Sequence, residues 1–156
     1  MALVRILVDG YSLLHNWPEL AAGRARHSAA ARDALIRRLT QYQDAAGTPV
    51  TVFFDGAGLP ADKPTASDST MVEVLYSRRG QTADQMIERA VHRFAPYGEV
   101  LAVTDDHAER ETVMSLGGGA GSCWNFIRDV ENALADLGDD ITTHNRKERH
   151  RFQRRK

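Results

Sequence analysis

Apolar residues along this chain come in short runs that alternate with segments of helical spacing. Leu3 to Val8 is a continuous apolar run broken only by Arg5, the pattern of a fully buried strand. A loop carrying Trp17 and Pro18 follows. Ser28 then stands where a helix cap belongs, Leu35, Leu39, Tyr42 and Ala46 recur at helical spacing, and Gly47 closes the helix. Val50 to Phe54 predicts a second strand and Met71 to Tyr76 a third. Between them, residues 56–70 are rich in Gly, Pro, Ser and Asp, the composition of a loop. Thr82 with Gln85 three residues on is a capping-box signature, and Met86, Ile87, Ala90, Val91 and Phe94 give the next helix its apolar face. Val100 to Val103 predicts a fourth strand, and a short helix runs from Asp105 to near Leu116. The run Gly117 to Gly121 reads as a flexible turn into Cys123 and Trp124, and a last helix extends to about Leu137. Strands alternating with helices predict an α/β sandwich around a mainly parallel sheet.

Composition narrows the class. At 156 residues, with 42% apolar and 26% charged, the chain predicts one domain with a core of its own. A single cysteine, Cys123, rules out a disulfide framework and a thiolate zinc site. No apolar run approaches the roughly 20 residues of a membrane span, and no signal-peptide pattern precedes the first strand, so a cytoplasmic protein is expected. The formal net charge of -1 conceals an asymmetry. Residues 146–156 hold seven Arg or Lys and one Glu, or +6, which leaves 13 basic and 20 acidic residues, or -7, in the remainder. We therefore divide the chain into a domain over 1–137 and a basic tail over 138–156. An acidic body with a basic tail suits a polyanionic partner, with Arg146, Lys147, Arg149 and Arg151 as candidate contacts.

The candidate chemistry lies where apolar runs meet acids. Ile6-Leu7-Val8-Asp9, Val52-Phe53-Phe54-Asp55 and Val103-Thr104-Asp105-Asp106 end strands on aspartate, and Thr82-Ala83-Asp84 opens a helix pointing the same way. Each acid has an ordinary role open to it: Asp84 in a first helical turn, Asp105 or Asp106 as a cap, Asp9-Gly10 and Asp55-Gly56 as turn pairs. Independent caps have no reason to converge on one edge of a sheet, whereas an active site does, because ligands bind beyond the carboxyl ends of parallel strands. Clustered carboxylates repel unless a cation sits among them, and a hard divalent ion is the natural occupant. The glycine run 117–121 lacks the Lys-Ser/Thr of a phosphate-binding loop, and the histidines form no metal-ligand spacing.

Asp9-Gly10-Tyr11-Ser12-Leu13-Leu14-His15-Asn16-Trp17-Pro18-Glu19-Leu20 closely resembles the opening motif of YacP-like NYN domains, in the PIN-like nuclease superfamily. The resemblance continues through Tyr42-Gln43, Val52 to Asp55, Val72-Glu73-Val74, Gln81 to Asp84 with Ile87-Glu88, and Val103 to Asp106. It covers residues 1 to about 137. It implies a PIN-like three-layer α/β/α sandwich and an endoribonuclease dependent on Mg²⁺ or Mn²⁺, whose best-known relatives act on mRNA at the ribosome. Carried over, the catalytic and metal-binding acids are Asp9, Asp84 and Asp105, with Asp55 and Asp106 as further metal-binding acids. Arg78 and Arg79 are candidate phosphate anchors and Ser12 a candidate substrate contact. The family usually has Asn where this chain has Ser12, and a hydroxyl reaches less far than an amide. That departure favours an alternative: a PIN-like module, weak or inactive as an enzyme, that binds RNA or the ribosome. A phosphotransfer receiver domain would need a late Lys, and none occurs between Lys63 and Lys147.

Overall fold

The computed structural model describes residues 3–21, 25, 28–56 and 71–137. The tail and most of the 56–70 loop lie outside them. Five strands form: β1 (Leu3–Asp9), β2 (Val50–Phe54), β3 (Glu73–Tyr76), β4 (Glu99–Val103) and β5 (Gly119–Gly121). The helices are α1 (Gly10–His15), α2 (Ala29–Ala46), α3 (Ala83–Phe94), α4 (His107–Ser115) and α5 over 123–137. The strands pair in the order β3-β2-β1-β4-β5, and every pairing is parallel.

Alternation along β1 sends its side chains to two cores. Ile6 and Val8 join α1, α2 and α5 through Leu13, Leu14, Leu35, Leu39, Phe126 and Val130. Leu7 points the other way, with Phe53, to meet Ile87 and Val91 of α3 and Val113 of α4. Helices therefore cover both faces, the three-layer sandwich of a PIN-like fold. The chain winds outward from β1 to β2 through α2, then returns through α3 on the opposite face to lay β4 on the free edge of β1. Right-handed crossovers require that a reversal of winding direction move the helix to the other face. Arg5, the one polar interruption of β1, is accommodated: its Nη1 donates to Thr51 Oγ1 at 2.8 Å and its guanidinium lies 4.7 Å from the Phe94 ring centroid.

The caps form as the sequence predicts. Ser28 Oγ accepts from Ala31 N–H, Gly47 ends α2 at φ 75°, and Thr82 with Gln85 makes a complete capping box on α3. Two elements depart from the expectation. The segment after Asp9 is helical at once rather than a loop. The glycine run is no simple turn, because Gly119, Ala120 and Gly121 pair with Leu101, Ala102 and Val103 as an edge strand. One position of the run is crowded: a Cβ on Gly118 would lie 2.8 Å from Val91 Cγ1 and 2.9 Å from Val113 Cγ1.

Candidate active site

Winding reverses at β1, so the crevice beyond the carboxyl ends of β1 and β4 is the topological switch point where such sheets place a ligand site. Asp9 ends β1 there and caps α1. Ser12 N–H donates to Asp9 Oδ1 at 3.3 Å, and Ser12 Oγ donates to Oδ2 at 3.0 Å. The helix can begin this abruptly because Gly10 has no side chain. A Cβ there would overlap the Phe54 ring, which Tyr11 also meets edge-on at 5.0 Å between centroids. Burial raises the pKa of Asp9 above the usual carboxylate value, the Ser12 hydrogen bonds oppose the rise, and the charge of Asp55 adds to it.

Asp55, just past β2, ties two elements together. Its Oδ1 accepts from Ala83 N–H, the first amide of α3, at 2.8 Å, and from Ser77 Oγ at 3.4 Å. That contact seats the first turn of α3, which carries Asp84. Burial, then the charges of Asp9, Asp106, Asp55 and Glu88, push Asp84 up to about 6.

Beyond β4, Thr104 is buried and donates its N–H to Gly121 O at 3.1 Å. The two aspartates that follow part company. Asp106 caps α4 by accepting from Glu109 N–H at 3.2 Å, and it acts on Asp84. Asp105 is drawn toward α5 instead. Its Oδ1 accepts from Cys123 N–H at 2.9 Å and from Arg110 Nη2 at 3.1 Å. Burial, reinforced by Asp105 and Asp9, pushes the Cys123 thiol up to about 12, which makes it a buried apolar group rather than a nucleophile.

The crevice thus groups Asp9, Asp55, Asp84 and Asp106 electrostatically, and Asp105 borders them. Two further acids belong to the group. Glu109 is only 5% exposed and its Oε1 has no hydrogen-bond partner. Burial, then a hydrogen bond to Glu88 and the charge of Asp84, push its pKa up to about 8. The sequence carried one signal for Glu109: it lies four residues before Val113, on the same buried face of α4. Arg78 and Arg79 are exposed in the turn before α3, where Gln81 N–H donates to Arg78 O at 2.9 Å. Arg146, Lys147, Arg149 and Arg151 lie outside the described residues.

A family model for the YacP-like NYN domain matches residues 6–156. The chain belongs to that family. An NYN domain is a nuclease-type domain that acts on RNA. The uncharacterized protein YacP of Bacillus subtilis (strain 168) is 32% identical over 129 residues, 81% of this chain and 74% of that one. The crystal structure of Rae1 (YacP) from Bacillus subtilis matches with a TM-score of 0.75 at 27% identity, covering 92% of this chain and 81% of that chain. A mutant of the same protein matches with a TM-score of 0.75 at 26% identity, over 89% of this chain and 81% of that one. Among the described residues no helix is long and apolar enough to cross a membrane.

Proposed function

We propose that this NYN domain is a divalent-metal-dependent endoribonuclease that hydrolyses RNA phosphodiester bonds, with mRNA at the ribosome as its substrate class. The observation that carries this reading is the surroundings of Asp84, where the charges acting most strongly are those of four other acids. Such a group is costly to ionise until a cation joins it. The donors are all carboxylate oxygens, which suit Mg²⁺ or Mn²⁺, and the buried, unpartnered Glu109 Oε1 offers one more. Among the described residues no three acids, histidines or cysteines stand as a finished ligand set. Magnesium needs no such cage, since it keeps several waters and takes one or two carboxylates directly.

In this reading Asp9, Asp84 and Asp106 hold the ion, with Asp55 and Glu109 around them and Asp105 at the border toward α5. When bound, the ion supplies a water of lowered pKa and neutralises charge on the phosphate. The chain's own residues do the positioning. Ser12 holds both oxygens of Asp9, and Asp55 fixes the turn that presents Asp84. Arg78 and Arg79 sit exposed beside that turn, free to anchor backbone phosphates. The test is incubation of the purified protein with RNA and DNA oligonucleotides in Mg²⁺, Mn²⁺ or EDTA. RNA is cut with either ion, and not in EDTA or by Asp84→Asn. Wild-type cleavage by a folded Asp84→Asn protein would overturn the assignment. Ser12 supports a second reading, an RNA-binding module without chemistry. It predicts RNA binding but no cutting under any ion.

A further inference from the structure

Among the described residues, two aromatic rings, Trp124 and Tyr97, stand largely open to solvent. Trp124 lies in the first turn of α5 and is 62% exposed. The buried stripe of that helix is Cys123, Phe126, Ile127 and Val130, so Trp124 falls outside it and stabilises no core. Tyr97, 77% exposed, precedes β4 and so lies at the amino ends of the strands, opposite the crevice. Trp124 is at the crevice edge: the residue before it, Cys123, donates its N–H to Asp105 Oδ1. One turn along α5 the Arg128 guanidinium carbon sits 4.8 Å from the Trp124 ring centroid.

We propose that Trp124 and Arg128 form a platform on which an unpaired RNA base stacks, beside the phosphate held at the acids. The inference rests on the ribonuclease reading above. The arrangement has what stacking needs. An indole presents a flat face to any base, and single-stranded RNA is recognised mainly by such stacking. Arg128 covers one face of the ring and leaves the other to the base, holding the indole in place by a cation–π contact. The rest of its planar fork stays available to a backbone phosphate. A cation here also matters because Arg110, the guanidinium that reaches Asp105, is already taken by that carboxylate. The domain outside the tail carries excess negative charge, so local cations must guide a polyanion past the acids. Fixing one base beside the cluster would set which phosphate faces Asp84, and hence where the strand is cut.

The chain holds two tryptophans, and the other, Trp17, is buried. Fluorescence open to an aqueous quencher therefore reports on Trp124. Titrating the full chain in EDTA with a short single-stranded RNA should shield that emission from acrylamide. Trp124→Ala should raise Kd by roughly 5- to 140-fold, the range of one base stack, while Trp124→Phe keeps most of the affinity. An RNA with an abasic nucleotide at the contacting position should bind the wild type weakly and bind Trp124→Ala no worse than intact RNA does. Cleavage at saturating RNA with Mg²⁺ or Mn²⁺ is then compared for both proteins by product length, and a looser choice of site is expected from Trp124→Ala. RNA that is bound and cut by the wild type without shielding the emission or losing affinity in Trp124→Ala overturns the platform alone. A full chain that neither binds nor cuts RNA overturns the platform and the ribonuclease reading together.

Discussion

At the scale of single residues, the acids differ in what holds them, and that sets what each substitution should do. Among the described residues no cation offsets the charges around Asp84, and its carboxyl is displaced from 3.8 to about 6. Between those values the folded chain keeps a proton that the unfolded chain has lost. Stability from this group is therefore present at low pH and declines as pH rises through about 6. Asp84→Asn should remove that slope and raise the melting temperature of the metal-free protein at neutral pH. Because the group is only half-buried, solvent screening limits the gain to on the order of 1 kcal/mol, roughly 2–4 °C for a chain of this size. Melting curves at pH 4, 6 and 8 decide it, and parallel curves for the two proteins would remove the charge cluster. Ser12 works in the opposite direction, because its hydrogen bonds favour the charged form of Asp9. Ser12→Ala should move the acid limb of the cleavage profile to higher pH and slow cleavage at neutral pH. Ser12→Asn should restore it. Identical profiles for all three would make the position a bystander.

Elements explain which parts of this are visible in the sequence. Strand ends followed by aspartate are local patterns, so Asp9, Asp55 and the Asp105-Asp106 pair can be placed from the order of residues alone. So can Asp84, through the Thr82–Gln85 box. Glu109 has only its spacing to Val113 to mark it, because its burial depends on how α4 seats against α3, and an acid in a first helical turn reads as an ordinary dipole partner. Helix α1 is hidden by its length: six residues give too few turns for a period to show. Strand β5 is hidden by composition, since Gly-Ala-Gly has no large apolar side chain to betray an edge strand. The glycines there are tests of packing. Gly118→Ala would press a methyl between Val91 and Val113 and should cost about 1–3 kcal/mol. Gly121→Ala meets only Leu101 Cδ1 at 3.5 Å and should be tolerated. Equal melting temperatures for the two variants would contradict the crowded junction.

Across the whole molecule, the distribution of charge predicts that chemistry and affinity reside in different parts of the chain. Asp9, Asp55, Asp84 and Asp106 meet at the crevice, and seven of the chain's twenty Lys and Arg residues fall in 146–156. Each phosphate neutralised on a single strand contributes about -0.7 to the slope of log K against log salt. If three or four tail cations engage RNA, a chain ending at residue 145 should show a slope flatter by roughly 2–3. Its single-turnover cleavage at saturating RNA should stay near that of the full chain. Binding measured over a salt series is the check, and superimposable slopes would take the tail out of RNA recognition.

The central place of β1 also governs how the polypeptide comes together in time. Ile6 pairs with Val50 on one side and with Leu101 on the other. During synthesis the first strand therefore meets one neighbour early and waits for the second until some ninety-five further residues have been added after Ile6. Contacts of such long sequence separation slow folding, and an unpaired strand edge invites pairing with another chain. A nascent chain stopped before Glu99 holds Asp9, Asp55 and Asp84 but neither β4 nor the acids beyond it. Cutting power should thus switch on late and all at once, when β4 reaches the bare edge of β1.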